Sequence, residues 1–249
     1  MPFTFAHPAL VIPLLYARRK HQWVSATGLI VGSMAPDCEK FMRLKLASAH
    51  SHTIASIFYF SCPVTLAVAF IFHLLVRRPL IAHLPAVLYR RLEKYMGFDW
   101  LNYFRRYYWG VLLSAIVGAA LHLFWDSFTH NHTSTADILP GLRGIMWVGS
   151  RTIPIFHIVA FVSSIVGGAA IVLAIWLMPA RQLRAVPTTA SVLRYWGLTV
   201  LIALVLEIQW ILVVQPRILS AGIAAITAGL LGILAASIYF GRRMATRRL

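Results

Sequence analysis

The sequence predicts an all-α, polytopic membrane protein with about five transmembrane helices, preceded by a partly inserted N-terminal helical hairpin. Three observations predict it. Of the 249 residues, 59% are hydrophobic and only 12% are charged, and the mean hydropathy is +0.75, far too apolar for a soluble domain of this size. Five runs reach the roughly 20 residues that a helix needs to cross a hydrocarbon core of about 30 Å: Ile54–Val76, Tyr107–His130, Thr152–Met178, Leu193–Val214 and Ile218–Phe240. The basic residues fall in the connections between these runs. A net charge of +16 therefore marks membrane orientation, and no nucleic-acid partner is expected.

Taken in order, the chain reads as one integral membrane domain over residues 1–249 with four parts. Residues 1–53 form a helical hairpin and a ligand loop. The apolar stretches Phe3–Ala17 and Trp23–Pro36 are too short to span and read as a hairpin entering partway. The basic cluster Arg18-Arg19-Lys20 follows the first stretch instead of preceding it, so a cleavable signal peptide is not expected. His7 precedes Pro8 at a helix entrance, and Pro36 breaks the second stretch just before Asp37. Asp37 and Glu39 would ordinarily form a solvated loop, but a hairpin returns Asp37 to the end that carries His7. His50 and His52 flank a serine before the first long span. Two histidines at i and i+2 diverge on a helix, so one of the two is the expected ligand.

Residues 54–130 hold the first two spans. Pro63 is expected to kink the first, and His73 near its far end is read as structural. The connection 77–106 carries seven basic residues interleaved with Leu, Tyr and Trp, as in a segment anchored by anionic headgroups. Small residues in SAIVGAALH suit close helix packing. The second span then ends in HLFWDSFTH, where His122, Asp126 and His130 follow one another at four-residue spacing and stack on one helix face. Imidazole and carboxylate on adjacent turns are metal-ligand spacing, and ionisable groups in an apolar run are costly enough to be functional.

Residues 131–151 form a loop rich in Gly and turn formers, in which Arg143 and Arg151 are candidates for an anionic substrate. Residues 152–249 hold three further spans, with His157, a further candidate for substrate contact, early in the first and Glu207, a candidate catalytic residue, inside the second. Glu207 needs a partner at that depth, and an imidazole of the site is the expected one. The two cysteines are too few for a disulfide framework. Counting basic residues places 77–106 and the tail in the cytoplasm and residues 50–53 and 131–151 outside. His7, Asp37, His50/His52, His122, Asp126 and His130 can then converge on one outer face, although none of them was used to set the orientation.

Through MPFTFAHPA, GSMAPD, SHT and HLFWDSFTH, residues 1–130 resemble a bacterial membrane family known as domain of unknown function 4184. More distantly, the order His, PD, HSH, HxxxDxxxxxH looks like the membrane-bound metal-dependent hydrolases and the zinc-dependent phospholipase C and nuclease group. That resemblance implies that Asp37, one of His50/His52, His122 and Asp126 surround a zinc, with His7 and His130 serving a neighbouring ion and Asp126 bridging. His132 competes with His130 for that place. It implies a hydrolase at the outer face of the cytoplasmic (inner) membrane, acting on a phosphoester or ester of a lipid, with Asp37 or Asp126 as base, Zn as cofactor and membrane lipids as partners. The competing readings are a metal-handling transporter, with Glu207 relaying protons, and a scaffold whose histidines cap helices.

Overall fold

The computed structural model describes residues 2–17, 20–129 and 140–246. Among them a 3₁₀ helix over Thr4–Val11, accommodating Pro8, continues into α1 (Ile12–Ala17). α2 (Ala26–Gly32) is capped by the Ser25 hydroxyl, which accepts from the Gly28 amide. A 3₁₀ turn, Ala35–Asp37, leads into α3 (Cys38–Arg43). The remaining elements are α4 (Ile57–Ala82), α5 (Ala86–Leu92), α6 (Trp100–Asp126), an antiparallel hairpin of β1 (Ile145–Val148) and β2 (Arg151–Pro154), α7 (Ile155–Trp176), α8 (Thr189–Val214) and α9 (Ile218–Thr246). α4, α6, α7, α8 and α9 are long and apolar enough to cross a membrane; the protein is a multi-pass, all-α membrane protein.

The spans differ from the sequence expectation at their ends. α4 and α6 run to 26 and 27 residues, or about 40 Å at 1.5 Å per residue, longer than a hydrocarbon core of about 30 Å. The surplus turns take in Arg77, Arg78, Arg105 and Arg106, which the sequence reading put in a connection. Arg77 does not face headgroups. It is buried, donating to His73 Nδ1 at 3.1 Å and to the Phe98 carbonyl, while His73 stacks on Trp100 at 4.3 Å. Pro63 acts through register: the turn before it, Ile57–Ser61, is π-helical, and the Cys62 amide reaches back to Ile57. A wider turn absorbs the missing proline donor. α6 ends at Asp126 and Ser127–Thr129 form a turn, so the helical argument for His130 stops there; His130 and His132 lie outside the described residues. Residues 145–154, expected as loop and helix start, pair as a hairpin around Gly149, whose φ of +61° suits glycine.

The chain divides into two compact units, Met1–Asp37 with Ala49–Leu66 and Tyr107–Leu177, and Cys38–Ser48 with Ala67–Arg106 and Met178–Leu249. In the first, α2 lies directly against α6. A Cβ on Gly32 would come within 2.5 Å of the Ala115 carbonyl, one on Gly118 within 2.4 Å of the Leu29 carbonyl, and one on Gly28 within 2.8 Å of the Val111 carbonyl. Glycines four apart on α2, Gly28 and Gly32, and Gly118 on α6 let the backbones touch, as packing in lipid rewards. The contact is pinned by the Ser25 amide donating to Ser114 Oγ. The Thr4–Val11 helix packs on α7 in the same way, with Gly167 against Ala6 and the Phe3 amide on Ser164 Oγ. In the second unit, α8 and α9 form an antiparallel pair. Gln215 closes α8 in the left-handed conformation before Pro216, and the Tyr195 hydroxyl meets Ser237 Oγ at 2.8 Å.

Candidate metal centre

The first unit gathers Asp37, His52, His122 and Asp126, each offering one ligand atom within 4.8 Å of all the others. The local sequence explains how they meet. His122 and Asp126 sit one turn apart at the end of α6. The close α2–α6 contact carries the end of α2 past His122, so that the Ser33 carbonyl accepts from His122 Nδ1 at 2.8 Å, and the Ala35–Asp37 turn then delivers Asp37. In a 3₁₀ helix residues i and i+3 eclipse, which puts Thr4 and His7 on one buried face. The Thr4 hydroxyl donates to Asp37 Oδ2 at 2.5 Å, and His7 Nε2 lies 3.3 Å from Asp126 Oδ1. His7 stacks on His122 with ring centroids 3.9 Å apart and meets the edge of Trp125.

Four atoms form the centre of the cluster. His52 Nε2 lies 3.3 Å from Asp37 Oδ1, 3.4 Å from Asp126 Oδ2 and 3.4 Å from His122 Nε2. His122 Nε2 lies 3.4 Å from Asp126 Oδ2 and 3.6 Å from Asp37 Oδ1. A tetrahedron with metal–ligand bonds of about 2.0–2.1 Å has edges of about 3.3–3.4 Å; these five separations are close to that, and all four atoms lie within 4.8 Å of one another, so the residues fit a small divalent cation. The donor chemistry points the same way. A carbonyl only accepts, so the Nδ1 atoms of His122 and His7 carry the protons and their Nε2 lone pairs face the carboxylates. His52 Nδ1 is engaged by Ser51 Oγ at 2.9 Å. The His122 lone pair and two carboxylates converging in a site where His122 is fully buried and Asp126 is 4% exposed repel one another unless a positive charge or a donated proton sits between them. The cluster can hold a divalent metal ion. Its opening lies at His52, the one member of the four that is part-exposed.

The other candidates are placed as follows. His50 is exposed, its backbone carbonyl accepting from the Tyr59 hydroxyl, and it is not a member of the cluster, so the Ser51 turn selects His52 of the pair. His157 is exposed in the first turn of α7 with its ring against Phe156, outside the cluster. Arg143 ends a 3₁₀ turn and Arg151 opens β2; their side chains lie outside the described set. Glu207 belongs to the second unit, and its Oε2 is buried with no hydrogen-bond partner among the described residues. The imidazole donor expected for that oxygen is not supplied by any described residue. Sequence reasoning missed Thr4, Ser33 and Ser51. The spacing Thr4-x-x-His7 and the glycine pair Gly28-x-x-x-Gly32 were the available signals for the first two.

No curated protein and no solved structure matches the chain. One family model does, that of a domain of unknown function, DUF4184, over residues 1–238. Those residues take in every member of the buried His/Asp cluster and all but the last turns of α9, and on that coverage the chain belongs to the DUF4184 family.

Proposed function

We propose that the protein is a metal-dependent hydrolase embedded in a membrane, with zinc as its metal and a phosphoester or ester of a lipid as its substrate. The observation that carries this reading is the buried cage of two imidazoles and two carboxylates. Mixed nitrogen and oxygen donors suit zinc, with manganese, iron and nickel as competitors. A divalent cation held there supplies Lewis acidity toward water and toward a phosphoryl or carbonyl oxygen. The chain's own residues do the rest. The Ser33 carbonyl fixes the tautomer and ring plane of His122. Thr4 occupies Asp37 Oδ2 and so turns Oδ1 inward. Asp126 presents Oδ2 to the cage and keeps Oδ1 beside His7, where it can take a proton from water. Arg143 and Arg151, on the chain that follows α6, are the proposed contacts for an anionic substrate group. The charge bias of the connections supports an extracytoplasmic site on the cytoplasmic membrane.

A second reading, that the centre holds metal without turnover, is favoured by one feature: four protein atoms already converge on one point, as in closed sites whose ligands all come from the protein. Hydrolysis requires the centre to accept water as a fifth ligand or to release one carboxylate. The two readings separate in one experiment. Purified, zinc-loaded protein is assayed on vesicles of phospholipid and on soluble phosphoester and ester substrates, alongside Asp126→Asn. The hydrolase reading expects turnover that falls by about 10²-fold or more in the variant; metal bound at full occupancy with no turnover on any of these substrates contradicts it.

A further inference from the structure

The second unit contains a half-open cavity of ≈ 900 Å³ between the N-terminal part of α8 and the C-terminal part of α9, a size that accommodates part of a lipid. Its wall is graded. Ser191, Arg194, Tyr239 and Arg243 line the part nearest the helix ends, and Leu198 and Ile202 line the part further along α8. Counted from Thr189, Leu198 and Ile202 lie about 13 and 20 Å down the helix axis, at the depth of acyl chains. Arg194 and Arg243 are exposed, and neither has a carboxylate partner among the described residues. The Arg243 guanidinium rests over the Tyr239 ring at 4.5 Å, which holds it at the cavity edge without neutralising it. The N-terminus of α8, capped by Thr188, adds positive dipole to the same end.

We propose that this cavity binds an anionic phospholipid, its headgroup phosphate between Arg194 and Arg243 and an acyl chain along Leu198 and Ile202. Two uncompensated guanidiniums fit a phosphate diester, and an apolar floor inside a membrane span selects an amphiphile over a soluble anion. The proposal shares no residue with the metal centre and does not depend on hydrolase activity.

The test uses the full chain in a non-ionic detergent, following lipid retention by native mass spectrometry and thermal stability on adding phosphatidylglycerol, phosphatidylcholine or inorganic phosphate. Phosphatidylglycerol should be retained and stabilising in preference to phosphatidylcholine, and inorganic phosphate should do neither. The Arg194→Gln/Arg243→Gln variant should weaken phosphatidylglycerol binding by about tenfold, while the charge-matched Arg105→Gln/Arg217→Gln variant should not. Leu198→Trp, which fills the apolar part, should weaken retention with both arginines in place. Helix content by circular dichroism checks that each variant is folded, and Arg243→Gln alone, at an exposed position, gives the same reading at about threefold should the double variant fail to fold. Equal retention of the two lipids, equal losses in the two double variants, or stabilisation by inorganic phosphate alone would overturn the proposal.

Discussion

Thr4 shows how a residue outside the ligand set controls it. Its hydroxyl holds the outer oxygen of Asp37, so Thr4→Val should leave the cage assembled but loosen Asp37, lowering metal affinity by about 10- to 100-fold with little change in secondary structure; competition with a chromophoric chelator measures it. Glu207 carries the opposite expectation. Its buried Oε2 has no donor among the described residues, and an unsatisfied acid in a span costs stability. Glu207→Leu should therefore raise the unfolding free energy by about 1 kcal/mol or more, read as a higher unfolding midpoint, and leave metal content unchanged. At this scale much of the candidate site was legible because side-chain chemistry is written in the sequence: His122 and Asp126 by their spacing, His7 and Asp37 by their places in a hairpin. The Ser33 carbonyl was not legible, since a backbone acceptor has no residue type to announce it. Nor could the spacing of His50 and His52 choose between them; the turn at Ser51 does so.

The α2–α6 contact governs the site at the scale of elements. A side chain on Gly32 would press on the Ala115 backbone, which cannot give way as a flexible side chain can. Gly32→Ala should cost about 1–3 kcal/mol and, by moving the Ala35–Asp37 turn, reduce metal content as well. Gly168→Ala, where a Cβ meets nothing within 4 Å, should change neither. Helix melting by circular dichroism, paired with metal analysis, compares the two. Apolar run length was enough to find all five spans, because the bilayer imposes it. Their ends were misjudged where a helix outruns the bilayer, as at Arg77 and Trp100, and the 145–154 hairpin was invisible because its alternation covers only four residues per strand.

For the whole molecule, the basic connections predict a sidedness. α5 and the β1–β2 turn are separated along the chain by the single span α6. In a background with Cys38 and Cys62 replaced by Ser, Arg90→Cys and Ser150→Cys should react with a membrane-impermeant maleimide from opposite faces, Ser150→Cys from outside. Labelling of both from one side would remove the extracytoplasmic placement of the centre. The family membership reaches across this whole architecture but carries no activity with it, so the functional argument rests on the cage itself. Its most direct test is elemental analysis of the full chain purified without chelator. Wild type, His50→Ala and His157→Ala should each carry about one transition-metal ion per chain, while Asp37→Ala, His52→Ala, His122→Ala and Asp126→Ala should carry almost none; equal metal content in all seven proteins, or none in wild type after zinc loading, would contradict the account.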